Sequence, residues 1–111
     1  KIPAWRAANA IHGSVDRWLA ENDGGRARVM VGDPAAFWYQ TGRQATVVPN
    51  EGVETVLEVA ERYTIDYLLL EADHPAPLDG LHAGREEHPR LRLAKAWPEQ
   101  HTVLYAIERA D

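Results

Sequence analysis

The chain has 111 residues, the size of a single domain, and 45% of them are hydrophobic, enough for a packed core. Its 17 acidic and 12 basic side chains give a formal charge of -5, which argues against a nucleic-acid partner because such proteins need a basic face. The absence of cysteine excludes disulfides and thiolate catalysis, and apolar runs of at most five residues are too short to span a membrane.

The N-terminal segment carries apolar residues at helical spacing and predicts a helix. Pro3 suits its first turn, where the missing N–H of proline costs nothing, and the Asn-Asp-Gly-Gly sequence at 22–25 ends it. Residues 28–31, apolar at three consecutive positions, then predict a short strand that is covered on both faces. The apolar stripe of the helix consists of Ala4, Ala8, Ile11, Val15, Trp18 and Leu19.

A turn at Gly32-Asp33-Pro34 leads into a second helix, predicted from Pro34 to about Thr41. Asp33 is a suitable N-cap, and proline is favoured at the first helical position. Gly42 is placed to end the helix, because glycine adopts the left-handed conformation of a helix end without strain. Residues 45–48 predict a second strand, which ends at Pro49.

An acidic amphipathic helix follows, with Asn50 as its expected N-cap. Its apolar positions 53, 56, 57 and 60 recur at i, i+3, i+4 and i+7. Residues 67–70 form the most apolar strand segment and are predicted to lie in the centre of the sheet. The alternation of helices and strands up to this point predicts two right-handed β-α-β crossovers with three parallel strands.

The last third of the chain changes character. Residues 72–89 contain several prolines and glycines and predict a loop with one helical turn near 78–82. Residues 90–93 alternate charged and apolar side chains, as in a half-exposed strand, and 102–107 predict a more buried partner strand in a hairpin.

The predicted fold class is therefore α/β, with three layers, a mixed five-stranded sheet and helices on both faces. We expect the parallel strands in the order second, first, third, with the hairpin beyond the third.

Polar side chains follow each of the three predicted parallel strands. Ligands of open parallel sheets bind beyond the carboxyl ends of the strands, so these side chains predict a ligand-binding rim. A structural interpretation also fits, because Asp33 and Asn50 suit helix caps, and Asp73 and His74 lie in an exposed loop. The rim residues are Asp33, Asn50, Glu71, Asp73 and His74.

No catalytic or cofactor-binding motif accompanies the rim residues. Neither of the glycine-rich phosphate-binding motifs, G-x-G-x-x-G and G-x-x-x-x-G-K-[ST], occurs in the sequence. At the Asp33-Pro34 turn the carboxylate would repel a phosphate, and the proline lacks the N–H that could bind one. The one serine, Ser14, lies within the first predicted helix and outside any G-x-S-x-G sequence. The carboxylates and histidines between 73 and 88 match no compact metal-ligand spacing. We therefore assign no catalytic residue, metal or cofactor to this chain.

Three consecutive aromatic residues occupy the second predicted helix. Side chains at three successive helical positions span about 200°, so Phe37, Trp38 and Tyr39 cannot all face one core. We expect Phe37 to be mostly buried and at least one of Trp38 and Tyr39 to stay exposed near the strand-end rim. The exposed ring is a candidate contact for a ligand or partner, or else the partly covered edge of the core.

Several of these motifs together resemble a known domain. They are a strand ending in the Asp33-Pro34 turn, an aromatic helix closing with Thr41-Gly42-Arg43, a strand end at Val48-Pro49-Asn50, the segment 67–71 and the last strand at 104–105. This series resembles the C-terminal soluble domain of bacterial polytopic membrane glycosyltransferases, relatives of the dolichyl-phosphate-mannose protein mannosyltransferases. The resemblance covers about residues 27–109.

The resemblance carries an expectation about function. Such enzymes transfer sugar from a polyprenyl-phosphate donor with acidic residues in loops between membrane helices, and those loops are not among these residues. It implies that residues 1–111 form one non-catalytic accessory domain of a larger membrane protein, on the extracytoplasmic face of the cytoplasmic membrane. Its partners would be the membrane-embedded portion of that protein and a glycan or protein acceptor. The alternative is a free-standing small α/β enzyme or ligand-binding protein with its site at the rim.

Overall fold

The computed structural model describes residues 4–23 and 26–109, with side chains from residue 11 onwards. The predicted helix start at Pro3, the glycines at 24–25 and the side chains of Ala4 and Ala8 lie outside the described residues. The helices are α1 (Ala4–Asp23), α2 (Pro34–Thr41), α3 (Val53–Tyr63) and the single turn α4 (Asp79–His82). The strands are β1 (Val29–Val31), β2 (Ala45–Val47), β3 (Tyr67–Leu70), β4 (Leu91–Trp97) and β5 (Thr102–Ile107).

The five strands form one mixed sheet in the order β2-β1-β3-β5-β4. β1 pairs in parallel with both β2 and β3, with Met30 opposite Thr46 on one side and Leu68 on the other. β5 pairs antiparallel with β3 and with β4. The predicted fold class, the strand order and the central position of β3 are confirmed.

Helices cover both faces of this sheet, because alternate side chains of a strand point to opposite faces. On one face, Val29, Val31 and Leu69 pack with Phe37 of α2 and with the apolar side of α1. On the other face, Met30, Leu68 and Leu70 pack with α3 and with the segment that includes α4. Residues 68–70 are buried, so the middle strand contributes to both cores at once.

The ends of α2 follow the prediction, whereas the start of α3 does not. Asp33 Oδ1 accepts a hydrogen bond from the Ala36 N–H at 3.1 Å, and Gly42, at φ 73°, donates its N–H to the Trp38 carbonyl. The expectation that Asn50 caps α3 was wrong, because α3 begins at Val53 and its N-cap residue is Gly52. An N-cap must directly precede the first helical residue, and Asn50 lies two residues too early.

The strand β4 departs from the simple alternation expected for residues 90–93. It runs to Trp97, and its pairing with β5 shifts register between Leu93 and Lys95. Leu91 is buried as expected, but Leu93 is 54% exposed although the two lie two residues apart. Leu91 and Leu93 pair with β5 in one continuous register and so belong to the same face of the strand, and the shift begins only after Leu93.

Two tyrosine side chains have raised pKa values in the folded chain. Burial raises the pKa of Tyr67, and the carboxylates of Asp23 and Asp66 add to this effect. Burial also raises the pKa of Tyr105. The Tyr105 hydroxyl donates a hydrogen bond of 2.7 Å to the Leu81 carbonyl and so connects β5 to α4.

The central position of β3 predicts the effect of truncating its buried side chain. Leu69→Ala should lower the free energy of unfolding by about 2–5 kcal/mol, because it leaves a cavity between the sheet and α1. Leu93→Ala removes the same atoms from an exposed site and should change it by no more than about 0.5 kcal/mol. Chemical denaturation measures both, and equal losses in the two variants would contradict the central position of β3.

The bond between Tyr105 and Leu81 predicts a dependence on alkaline pH. Above about pH 10 the tyrosine hydroxyl loses its proton in the unfolded chain, whereas the folded chain retains it. The free energy of unfolding should therefore fall as pH rises from about 10 through the raised pKa of Tyr105. Tyr105→Phe should cost about 0.5–1.5 kcal/mol near neutral pH, because the Leu81 carbonyl loses one of its two hydrogen bonds and keeps the one from the Gly84 N–H at 3.2 Å, and should make the alkaline fall shallower. Denaturant titrations between neutral and alkaline pH measure both effects, and an unchanged alkaline slope would contradict this assignment.

Candidate functional site

The carboxyl ends of β1, β2 and β3 border a cleft of about 1140 Å³, which we call the rim cleft. The structure brings the five predicted rim residues together on its wall. The short turn that precedes β5 closes another side with Glu99, Gln100 and His101. The residues from the predicted rim are Asp33, Asn50, Glu71, Asp73 and His74.

This convergence follows from the direction of the strands. β1, β2 and β3 are parallel, so the residues that follow them all emerge at the same edge of the sheet. β5 runs the other way, so its start lies at that edge as well. The backbone after β3 passes close to the end of β1, where the Asp73 carbonyl lies 3.8 Å from the place a Cβ on Gly32 would occupy.

A buried histidine pairs with a rim carboxylate at the wall of the cleft. His12 Nε2 lies 3.2 Å from Glu71 Oε2, and the two side chains are 4% and 19% exposed. A carboxylate can only accept, so Nε2 is the nitrogen that donates. The Nδ1 atom is buried and has no hydrogen-bond partner among the described residues. The ring also meets the edge of Phe37, with centroids 5.2 Å apart.

His12 was not predicted as a site residue, although the sequence contains a signal for it. It lies three residues before Val15 and seven before Leu19, on the apolar face of α1. A histidine on such a face must find a polar partner inside the fold. The partner, Glu71, is 59 residues away along the chain, and local spacing could not identify it.

A second histidine, His74, is held between two oxygen atoms. Its Nδ1 lies 2.8 Å from the Glu71 carbonyl and its Nε2 lies 2.6 Å from Asp79 Oδ1. Both of these partner atoms are hydrogen-bond acceptors, so a ring nitrogen that bonds to either of them is the donor. The ring stacks on His82 with centroids 4.0 Å apart, and His82 Nε2 donates to the His101 carbonyl at 2.7 Å. These contacts attach α4 to the edge of the cleft.

The charged side chains of the rim cleft are mostly acidic. Of the described residues that line it, Asp33, Glu71, Asp73 and Glu99 are carboxylates, and none is a lysine or arginine. A phosphate-bearing ligand would therefore meet repulsion and no permanent cation. Among the described residues, no three carboxylate or histidine side chains converge closely enough to hold a metal ion.

The aromatic triplet of α2 divides between the core and the surface. Phe37 is completely buried, whereas Trp38 is 55% exposed and Tyr39 is 79% exposed. The prediction for Phe37 is confirmed, and both of the other rings remain in contact with solvent. We expected the exposed ring near the rim, but neither Trp38 nor Tyr39 lines the rim cleft, so α2 presents a second surface that is distinct from it.

Comparison with known proteins identifies no relative for this chain. No protein-family model matches the sequence, and no curated protein or solved structure is significantly similar to it. Within the described ranges, no helix combines the length and the apolar character needed to cross a bilayer. The described chain thus presents two candidate functional surfaces, the rim cleft and the exposed rings of α2.

Proposed function

We propose that this chain is a non-catalytic accessory domain of a membrane glycosyltransferase that uses a polyprenyl-phosphate-linked sugar, and that it lies on the extracytoplasmic face of the membrane. The motifs at residues 29–50 and 67–71 support the assignment by their resemblance to such domains. The structural observation that carries it is the pair of exposed aromatic rings, Trp38 and Tyr39, on a helix whose third aromatic residue is core.

The Thr41-Gly42-Arg43 sequence fixes the C-terminal end of α2. The Thr41 hydroxyl donates to the Phe37 carbonyl at 2.7 Å and accepts from the Arg43 N–H at 3.0 Å. The Arg43 guanidinium donates to Asp16 of α1 at 3.1 Å and to the Ala27 carbonyl before β1 at 3.2 Å. A helix of eight residues has little stability of its own, so these bonds and the Asp33 cap hold the two exposed rings in place.

Exposed aromatic rings that are fixed in position are suited to contact with a partner protein. Tryptophan and tyrosine provide a large contact area, lose few rotamers on binding and are enriched in the energetically dominant positions of interfaces. They are also the residues that favour the water interface of a membrane. The partner in this proposal is the membrane-embedded portion of the parent enzyme, with Trp38 and Tyr39 as the contact residues.

Alanine variants in the full-length parent enzyme test this proposal. The Trp38→Ala and Tyr39→Ala double variant should leave the thermal unfolding of the isolated chain within a few degrees of wild type, because both rings are exposed. It should lower sugar transfer by the parent enzyme about tenfold, the loss expected when anchor residues of an interface are truncated.

The control for this variant is a third exposed aromatic residue. Tyr63 is 52% exposed at the end of α3, which packs on the opposite face of the sheet. Tyr63→Ala should leave sugar transfer at the wild-type level. Full transfer in the Trp38 and Tyr39 variant, or an equal loss in the Tyr63 variant, would remove the support for docking through α2.

A second candidate is a free-standing enzyme or ligand-binding protein that uses the rim cleft. The observation in its favour is the pairing of His12 with Glu71, since a carboxylate that orients an imidazole is a common element of general acid–base catalysis. Under this candidate the chain would act without a membrane-embedded partner.

Assays of the isolated chain separate the two candidates. Under the accessory-domain proposal, incubation with polyprenyl-phosphate sugars, chromogenic esters and chromogenic glycosides should give only background turnover. Turnover that survives repurification, and that His74→Ala or Asp33→Ala abolishes, would favour the second candidate. Asp33→Ala also removes the α2 cap, so its folding must be checked by circular dichroism before its activity is interpreted.

A further inference from the structure

The contacts of His74 need more ring protons than a neutral histidine has. Its Nδ1 lies 2.8 Å from the Glu71 carbonyl, and its Nε2 lies 2.6 Å from Asp79 Oδ1. A carbonyl and an ionised carboxylate only accept hydrogen bonds, whereas a neutral imidazole has one N–H and one bare nitrogen. Only the protonated ring, with an N–H on each nitrogen, makes both bonds. The number of bonds that His74 makes therefore changes when it gains or loses one proton.

The two bonds of His74 differ in how well water can replace them. The bond to the Glu71 carbonyl is partly buried, whereas the Asp79 side chain is 60% exposed. Water can solvate an exposed carboxylate, but a partly buried carbonyl that loses its donor stays unsatisfied. The neutral ring therefore keeps its proton on Nδ1 and its bond to Glu71. Its bare Nε2 then faces the Asp79 carboxylate, and two acceptors at hydrogen-bond distance repel each other.

The ring of His82, stacked on that of His74, favours the second proton on His74. The two centroids lie 4.0 Å apart, so positive charges on both rings would repel. His82 Nε2 donates to the His101 carbonyl, and that bond needs one N–H, which a neutral ring supplies. Because His74 contacts two acceptors and His82 contacts one, the pair is best satisfied with the positive charge on His74.

The other titratable groups around His74 are mostly carboxylates, which favour a positive charge on the ring. Asp79 contacts it directly from α4. No lysine or arginine is found among the described residues that line the cleft beside it. The titratable groups that line the cleft with it are Asp33, Glu71, Asp73 and Glu99 and the histidines His12, from α1, and His101, from the turn before β5.

The bond to Asp79 connects two parts of the fold. Asp79 is the first residue of α4, so its bond to His74 ties this helical turn to the end of β3. Leu78 and Leu81 are completely buried and hold the other side of the segment in the core. Loss of the bond therefore loosens the segment without unfolding it. Because residues 74–76 line the rim cleft, the loosening acts on the edge of that cleft.

We propose that His74 is a pH-sensitive latch between β3 and α4 at the edge of the rim cleft. The protonated ring joins the Glu71 carbonyl to the Asp79 carboxylate and holds residues 74–83 in place, and the neutral ring releases Asp79. A bond that only the protonated ring makes is present below the range in which histidine titrates, about pH 5–8, and is lost as pH rises through it. The latch goes beyond the docking role proposed for α2 and uses none of its residues, so either inference can fail while the other stands.

Hydrogen exchange of backbone amides tests the release of α4. The Ala83 N–H donates to the Asp79 carbonyl and reports on this helical turn. Its protection, corrected for the intrinsic exchange rate at each pH, should fall about tenfold between about pH 5 and 8, because one charge-assisted hydrogen bond is lost. The Ile107 N–H, which donates to the Asp66 carbonyl at the opposite end of the sheet, is the internal reference and should keep its protection.

The ¹⁵N resonances of the His74 ring test where its protons lie. Below about pH 5 both ring nitrogens should carry a proton, and above about pH 8 only Nδ1 should carry one. A neutral ring that is protonated on Nε2 would keep its bond to Asp79 and would contradict the latch.

Two variants remove the latch by different means. His74→Gln removes the titrating ring and should make the protection of the Ala83 amide independent of pH between about 5 and 8. Asp79→Asn should have the same effect, because an amide group can accept from the protonated ring and donate to the neutral one. Asp79 is exposed, so this variant tests the latch even if His74→Gln does not fold.

The matched control is another histidine of the same cleft. His101→Asn removes a ring that makes no hydrogen bond within the described part of the chain, and asparagine tolerates the left-handed backbone at this position, where φ is 51°. It should leave the pH dependence of the Ala83 amide unchanged. Protection that does not change with pH in the wild-type chain, or that falls equally in the His74→Gln and Asp79→Asn variants, overturns the proposal. Loss of the pH dependence in the His101→Asn variant would assign it to His101 and overturn the proposal as well.

Discussion

The burial of β3 on both faces is the constraint on which the rest of the structure depends. Its residues 68–70 are almost inaccessible to solvent, and they alternate between a core beneath α1 and α2 and a core beneath α3 and α4. A strand covered on both sides has no room for polar side chains, so those can appear only where the strand ends. Glu71 is the first such residue, and the histidine that pairs with it reaches it from α1.

The motif residues of the α2 region have local structural roles in this fold. Asp33 caps the helix, Gly42 ends it, and Thr41 and Arg43 attach its end to α1 and to the residue before β1. These roles explain why the motif residues occur close together along the chain. They also explain how a helix of two turns can expose two large aromatic rings while the third keeps it attached to the core.

Features that depend on neighbouring residues could be predicted from the sequence. The Asp33 cap, the Gly42 helix end and the buried run 68–70 each rest on a local pattern whose physical cause lies within a few residues. The convergence of the rim residues followed from the parallel strands, which the alternation of elements predicts. That these residues bind a ligand stays a prediction.

Other features depend on contacts between distant parts of the chain and could not be predicted. Asn50 had the residue type of a cap, but the chain places the helix start three residues later. Leu93 has the alternation of a core residue and pairs with Tyr105 of β5, yet its side chain is exposed. The pairing of His12 with Glu71 needs the packing of α1 on the sheet, which no local spacing encodes.

The two outer strands of the sheet have a consequence for how copies of this domain can coexist. β2 is only three residues long, and β4 is interrupted by its register shift and carries the exposed charged residues Arg92 and Lys95. Short, irregular and charged edges are poor templates for the addition of another strand. Many copies can therefore be crowded side by side without their sheets joining into a continuous fibril.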